Sequence, residues 1–196
     1  LAPDSSFIFE HLQRVWMNDK TNPDRLHYSE TFDETLWQGF GDSAALDVGP
    51  GDGDPEGLTN GYKYKGMIAV GKKAKRYRIT GDSPENFFPE IITEGLGNEG
   101  SLSIAVDESD VIFVSRRGVH SQSATDTYGD TNSAYVSRKI KPTFNDFVPS
   151  RLRFSQGTFI PELNSIAFSI AEQGSSEQNA VWLYNIEVTL PNGEKG

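Results

Sequence analysis

Apolar runs recur along this chain at a nearly constant interval, and that interval limits the folds open to it. The runs centre near Trp16, Ile68, Phe113 and Phe168. Their spacing of roughly 45–55 residues is the period of a four-stranded propeller blade. Around them the pattern has period two. Tyr77 and Ile79 alternate within Lys75 to Thr80, Leu102, Ile104 and Val106 alternate, and so do Ile166, Phe168 and Ile170. Val111-Ile112-Phe113-Val114 is a continuous apolar run, as expected of a strand covered on both faces. The pattern predicts an all-β chain of β-propeller blades, a partial propeller with about four blade-like units. A β-sandwich is the alternative. The propeller-like region spans 1–190, and 191–196 is a polar tail or linker.

Local signals assign the segments between these centres. Residues 7–19 read as one strand, and Arg25 to Ser29 as its partner across a long loop at Asn22-Pro23. Phe32, Leu36, Trp37 and Phe40 have near-helical spacing, which predicts a short helical turn. Leu58 to Lys65 is a linker or short strand, Met67 to Val70 a strand, and Lys75 to Thr80 its return. Residues 84–100 read as a loop whose Phe87, Phe88, Ile91 and Ile92 cover a core edge. Leu102, Ile104 and Val106 alternate with Ser101, Ser103 and Ala105, which reads as a strand, and Asp107 to Asp110 is the turn that follows. Residues 121–134 form a polar loop, and Tyr135 to Ile140 leads back to the fold. Phe144 and Phe147 lie on a connector between Pro142 and Pro149. Val181 to Val188 is the last strand.

The chain has 196 residues, a formal charge of −10 and no cysteine. The charge argues against a constitutive nucleic-acid binder, because phosphate contacts need cations. Without cysteine there is no disulfide framework, thiol nucleophile or cysteine-ligated zinc. No apolar segment approaches the ~20 residues of a membrane-spanning helix. Leu1-Ala2-Pro3-Asp4 carries neither methionine nor a leader pattern, so the numbering is expected to begin inside a longer or processed chain.

The densest turn signal is Leu46-Asp47-Val48-Gly49-Pro50-Gly51-Asp52-Gly53-Asp54-Pro55-Glu56-Gly57. Asp52 to Gly57 matches the first half of an EF-hand loop, with oxygen ligands at alternate positions and then glycine. The position that should supply a bidentate glutamate is Lys63. Calcium is the one cofactor with candidate ligands, namely Asp47, Asp52, Asp54 and Glu56. The competing reading is turn chemistry, aspartate bonding its own backbone.

Gly95 to Gly100 satisfies G-x-G-x-x-G, yet the residues after it alternate like a strand where a dinucleotide site needs a helix. Lys63, Lys65, Lys72, Lys73, Lys75, Arg76 and Arg78, interleaved with Tyr62, Tyr64 and Tyr77, have the composition of a single-strand nucleic-acid groove. An edge strand guarded by lysine has it too. His11, His27 and His120 are far apart in sequence. No nucleophile elbow, zinc-protease motif or phosphate loop occurs. No catalytic residue is assigned, and the chain is read as not an enzyme.

Several motifs in order resemble the β-propeller region of bacteriophage tail proteins, such as the nozzle or hub subunits of short-tailed phages. They are Arg14-Val15-Trp16, Asn22-Pro23-Asp24-Arg25-Leu26-His27-Tyr28-Ser29, Asp47-Val48, Gly51-Asp52-Gly53-Asp54-Pro55, Gly57-Leu58, Tyr77-Arg78-Ile79-Thr80-Gly81 and Phe113-Val114-Ser115-Arg116-Arg117-Gly118-Val119. The resemblance covers roughly residues 14–120. The chain departs from it at His27, where an aromatic is usual, and in the loop 121–134. The resemblance implies a virion structural protein, assembled in the host cytoplasm. It implies a homo-oligomeric ring around the DNA exit channel, contacts with neighbouring tail proteins, and passage of phage DNA without specific binding. A negative lumen suits that role, because it repels DNA. The alternative is a glycan-binding or glycan-cleaving propeller for host recognition, with Trp16, Trp37 and Trp182 as stacking platforms for a glycan receptor.

Overall fold

The structure, a computed structural model, describes residues 1–37, 39–54, 56–106, 110–123, 136–137 and 141–186. It is all-β, with four small antiparallel sheets and almost no helix among the described residues. The chain divides into two compact units, Leu1–Ser101 and Leu102–Gly196.

In the first unit, β1 (Ile8–His11), β2 (Arg14–Asn18), β3 (Arg25–Tyr28) and β4 (Ala44–Asp47) form one up-and-down sheet in sequence order. β5 (Asn60–Tyr64), β6 (Met67–Gly71), β7 (Lys75–Thr80) and β8 (Phe88–Glu94) form the second, in the same order. The second unit holds β9 (Ile104–Val106), β10 (Val111–Ser115) and β11 (Gly118–Ser121), then β12 (Gly157–Ile160), β13 (Ser165–Ile170) and β14 (Ala180–Asn185), as two three-stranded sheets. A short helix α1 (Lys141–Asn145) and a 3-10 turn (Pro149–Phe154) precede β12. The apolar centres at 16, 68, 113 and 168 fall on β2, β6, β10 and β13, each the second strand of its sheet.

The four sheets repeat one packing device. In the first unit β1 lies against β5. Gly61 in β5 sits under Phe7 and Phe9, where an added Cβ would meet both rings. In the second unit β9 lies against β12. There Gly157 fills the equivalent place, and its N–H donates to the Leu102 carbonyl at 2.8 Å. In each unit a glycine on the first strand of the second sheet lets the two first strands approach closely.

The cores lie between the paired sheets. The first joins Trp16, Leu26 and Tyr28 to Ile68, Val70, Tyr77 and Ile79, with Val48 and Leu58 from the connection. Phe87 stands edge-on to Trp16 and Tyr28, with centroids at 5.1 and 5.4 Å. The second joins Ile112, Val114 and Val119 to Ile166, Phe168 and Ile170. Phe144, Phe147 and Leu152 close it from the connector, so the aromatic connector is a core lid. Each large side chain buried this way contributes about 1.5–3 kcal/mol.

Several sequence expectations change. Residues 7–19 are two strands and not one. The chain reverses at Leu12 and Gln13, both with positive φ (55° and 52°), a turn in which non-glycine residues are uncommon and which their types do not announce. Residues 30–37 hold turns and an isolated Glu30–Asp33 bridge, with no helix among the described residues. The near-helical spacing there does not mark a buried face, because Trp37 is buried while Phe32, Leu36 and Phe40 are exposed. Within 84–100, expected as a loop, lies a full strand, β8, which carries Pro89. As the outer strand of its sheet it tolerates the missing N–H. The alternation at 102–106 ends in the strand β9, and its buried face is the one with the smaller side chains. Ser103 and Ala105 are buried while Leu102 and Val106 are exposed. The Ser103 carbonyl accepts the Val114 N–H at 2.9 Å, which fixes that register. The Asp107 to Ser109 part of the expected turn, residues 124–134, the lead-back at 138–140, the end of the last strand at 187–188 and the tail 191–196 lie outside the described residues.

Candidate functional site

The acidic turn after β4 and the basic stretch of β6 and β7 were two separate signals in the sequence. In the structure they are the two halves of one contact. Lys72 follows β6 at the tight turn into β7, where its N–H donates to the Lys75 carbonyl at 2.8 Å. Its side chain is fully buried. The ammonium reaches Asp24 Oδ1 at 2.6 Å, the Gly49 carbonyl at 3.0 Å and Asp52 Oδ2 at 3.1 Å. Three N–H donors meet three oxygens, so a buried charge is fully hydrogen-bonded. The Tyr77 ring lies 5.7 Å from the nitrogen and adds a cation–π contact.

Each candidate calcium ligand has a protein partner. Asp52 Oδ1 accepts the Asp54 N–H at 2.9 Å, which makes the aspartate turn expected of such a sequence. Its Oδ2 accepts the Tyr77 hydroxyl at 2.5 Å, and its carbonyl accepts Lys75 Nζ at 2.6 Å. Asp54 Oδ2 accepts the Ala74 N–H at 2.7 Å. Glu56 pairs with Lys73. Asp47 points elsewhere and takes a two-pronged bond from Arg25, at 2.8 and 3.1 Å. The Lys72 ammonium thus stands among the oxygens of the turn where a bound cation would otherwise be sought. Among the described residues no group of three or more His, Cys, Asp or Glu side chains is arranged to hold a metal.

The electrostatics follow from this wiring. Burial would raise the Asp52 carboxyl, but the bonds from Tyr77, the Asp54 N–H and Lys72 outweigh it and hold it below the ordinary range. Burial pushes the Tyr77 phenol up, and the bond to the Asp52 carboxylate pushes it further. Tyr77 is therefore a donor and not a titrating group. The turn also needs glycine at 49. Its φ is +59°, and a Cβ there would collide with the Tyr77 hydroxyl.

The rest of the basic stretch is divided between core and surface. Arg76 is buried, with Nη1 donating to Asn98 Oδ1 at 2.6 Å. Arg78 pairs with Glu90 at 2.7 Å across to β8. Lys63 and Lys65 are exposed at the β5–β6 hairpin. Tyr62, Tyr64 and Tyr77 are all buried, so none of them offers a ring for a base to stack on. Gly95 to Gly100 is a loop, buried from Leu96 onward, that leads to the strand β9. Its Asn98 N–H donates to the Lys72 carbonyl at 2.8 Å, so the loop braces the lysine and forms no phosphate cradle.

The histidines and tryptophans are mostly structural. His27 Nε2 lies 3.3 Å from Asp19 Oδ2. Burial would raise the Asp19 carboxyl. Bonds from the Asn22 side chain, the Thr21 and Asn22 backbones and His27 instead lower it to about 2. His11 is buried in β1, and burial, then Lys63, lowers its pKa. His120 stacks on Phe113 with centroids at 5.8 Å. Trp16 and Trp37 are 0% and 3% exposed, which removes them as sugar platforms. Their indole N–H groups are bonded to the His11 and Glu34 carbonyls. Trp182 is partly buried between Phe168 and Tyr184, with centroids near 6 Å (6.2 and 6.0 Å).

A second charged centre was not visible in the sequence. Arg14 is buried on β2. Its guanidinium grips Asp42 with both nitrogens and bonds the Ser29 carbonyl at 2.8 Å. Beside it opens a cleft of about 250 Å3 lined by Glu10, Phe32, Asp33 and Glu34 among others. That volume lies below the ~300–1,000 Å3 of small-molecule sites. No protein-family model matches the chain, and no curated protein matches it.

Proposed function

We propose that this chain is a structural subunit of a bacteriophage tail, a nozzle- or hub-type ring component that works by protein–protein assembly and without catalysis. One observation carries the assembly part. The buried Arg14 and Lys72 charges are matched inside the fold, while large apolar side chains stand outside it in both units. Phe32, Phe88 and Val181 are 80%, 61% and 66% exposed, and Phe40, Leu102 and Leu183 also lie open to solvent. On the outer strand β14 the exposed Val181 and Leu183 alternate onto one face, an apolar pair of the kind that contact surfaces use. The tail assignment rests on the ordered motifs between residues 14 and 120. The net charge of −10 supports a channel that DNA passes without sticking.

Electron microscopy of the purified chain, at concentrations where it sediments as an oligomer, tests the reading. A closed ring with a central opening is the expected result. A chain that stays monomeric at every concentration, or that binds a glycan array through Trp182, would overturn it.

A further inference from the structure

The described surface carries a basic aromatic patch that its own acidic residues leave alone. On the 3-10 turn Pro149–Phe154, the guanidinium carbons of Arg151 and Arg153 lie 4.5 and 4.6 Å from the Phe154 ring centroid. The ring is 44% exposed. Neither guanidinium has an ion-pair partner among the described residues, and Arg151 Nε is buried with no hydrogen bond. In a chain with 28 acidic and 18 basic residues, two arginines gather on one ring without a carboxylate among the described residues. Arginine and aromatic side chains are also the residues most enriched at protein interfaces.

The first unit carries the complementary surface. The cleft beside Arg14 combines the exposed Phe32 ring with Glu10, Asp33 and Glu34. The Arg14 charge is already taken by Asp42, so it does not neutralise them. The carboxylates of Glu10 and Glu34 take no hydrogen bond or ion pair among the described residues. A cleft of about 250 Å3 has room for protruding side chains rather than for a free ligand of drug size.

We propose that this cleft receives the Arg151–Arg153–Phe154 patch of a second copy of the chain, so that copies join head to tail. Two different surfaces meet in such a contact. It is heterologous, and it closes into a ring or runs on as a filament according to the rotation per step. Opposite charges set its register, and the Phe154 and Phe32 rings supply its apolar centre. The inference rests on the assembly reading above and names the surfaces that assembly uses.

Sedimentation velocity on the full chain and on two surface variants, Arg153→Glu and Glu10→Lys/Glu34→Lys, tests it. All three positions are exposed, and circular dichroism checks that each variant is folded. Wild type is expected to associate more weakly as salt rises, and each variant alone to lose roughly tenfold or more in association. Mixing the two variants restores it, because the intact cleft of one meets the intact patch of the other. If wild type assembles and the variants assemble equally well, these surfaces are not the contact and the assembly reading stands. If the variants weaken association and mixing does not restore it, the head-to-tail pairing is wrong. If wild type never associates, both readings fall.

Discussion

Lys72 Nζ lies 2.6 Å from Asp24 Oδ1, although 48 residues separate them in the chain. The ammonium is fully buried and also holds Gly49 and Asp52. One side chain thereby ties the β2–β3 loop, the acidic turn and the β6–β7 hairpin together.

Replacing Lys72 by methionine keeps the bulk and removes the charge. Asp24 then loses its cation, and Asp52 keeps only Lys75, at 4.0 Å. Breaking a buried pair in this way costs about 3–5 kcal/mol. Urea unfolding is expected to show that loss, and adding Asp52→Asn to Lys72→Met to recover part of it. Full stability in Lys72→Met would show that the ammonium contributes nothing.

Calcium is expected to leave the native chain unchanged. Each carboxylate of the acidic turn already has a partner in Lys72, Lys73, Tyr77 or a backbone N–H group, and only Asp54 Oδ1 is buried without a hydrogen bond, which leaves a cation one open oxygen in a turn that already holds the Lys72 ammonium. Titration calorimetry should show no binding heat, and millimolar calcium should not move the unfolding midpoint. A saturable heat abolished by Asp52→Ala and Asp54→Ala would contradict this.

Two glycines in the turn separate strain from collision. Gly49 and Gly51 have φ of +59° and +73°. A Cβ at 51 meets nothing within 4 Å, whereas one at 49 strikes the Tyr77 hydroxyl. Gly51→Ala should cost only the left-handed backbone penalty, roughly 1–2 kcal/mol. Gly49→Ala should cost clearly more, because Tyr77 must also leave Asp52. Equal shifts in thermal midpoint would refute the contact.

Acid should destabilise the fold through Asp19. Its folded pKa is about 2, below the unfolded value near 3.9. The unfolded chain therefore takes up the proton first. The stabilisation is complete above about pH 4 and is lost as pH falls toward 2. Asp42, held low by Arg14, acts in the same direction. Asp19→Asn should flatten the fall of stability between those pH values. An unchanged acid profile would show that the carboxylate is not held in this way.

The strands that make the core were legible because burial writes itself into hydrophobic pattern. Val111 to Val114 and Lys75 to Thr80 needed only their own residues. Where the pattern was satisfied by other means, it decided less. Ile104 and its neighbours alternate as a strand does, but the phase was set by a backbone bond from Val114 to Ser103. β8 lay in a stretch read as a loop, and its Pro89 is a residue that an outer strand accepts. The reversal at Leu12 and Gln13 lacks glycine or asparagine and gave no turn signal.

The sequence by itself determined that this chain is all-β, where its four repeating centres lie, and that Asp52 would close a turn. Those properties depend on neighbours within a few residues, through side-chain period and backbone torsion. Only the tertiary structure decided what the acidic turn faces. Asp24, Gly49, Asp52 and Lys72 converge because two sheets pack face to face and bring distant loops to one point. No local rule pairs a lysine with an aspartate 48 residues away. Charge has no period along the chain, and its meaning appears only when opposite charges are brought to hydrogen-bonding distance out of water.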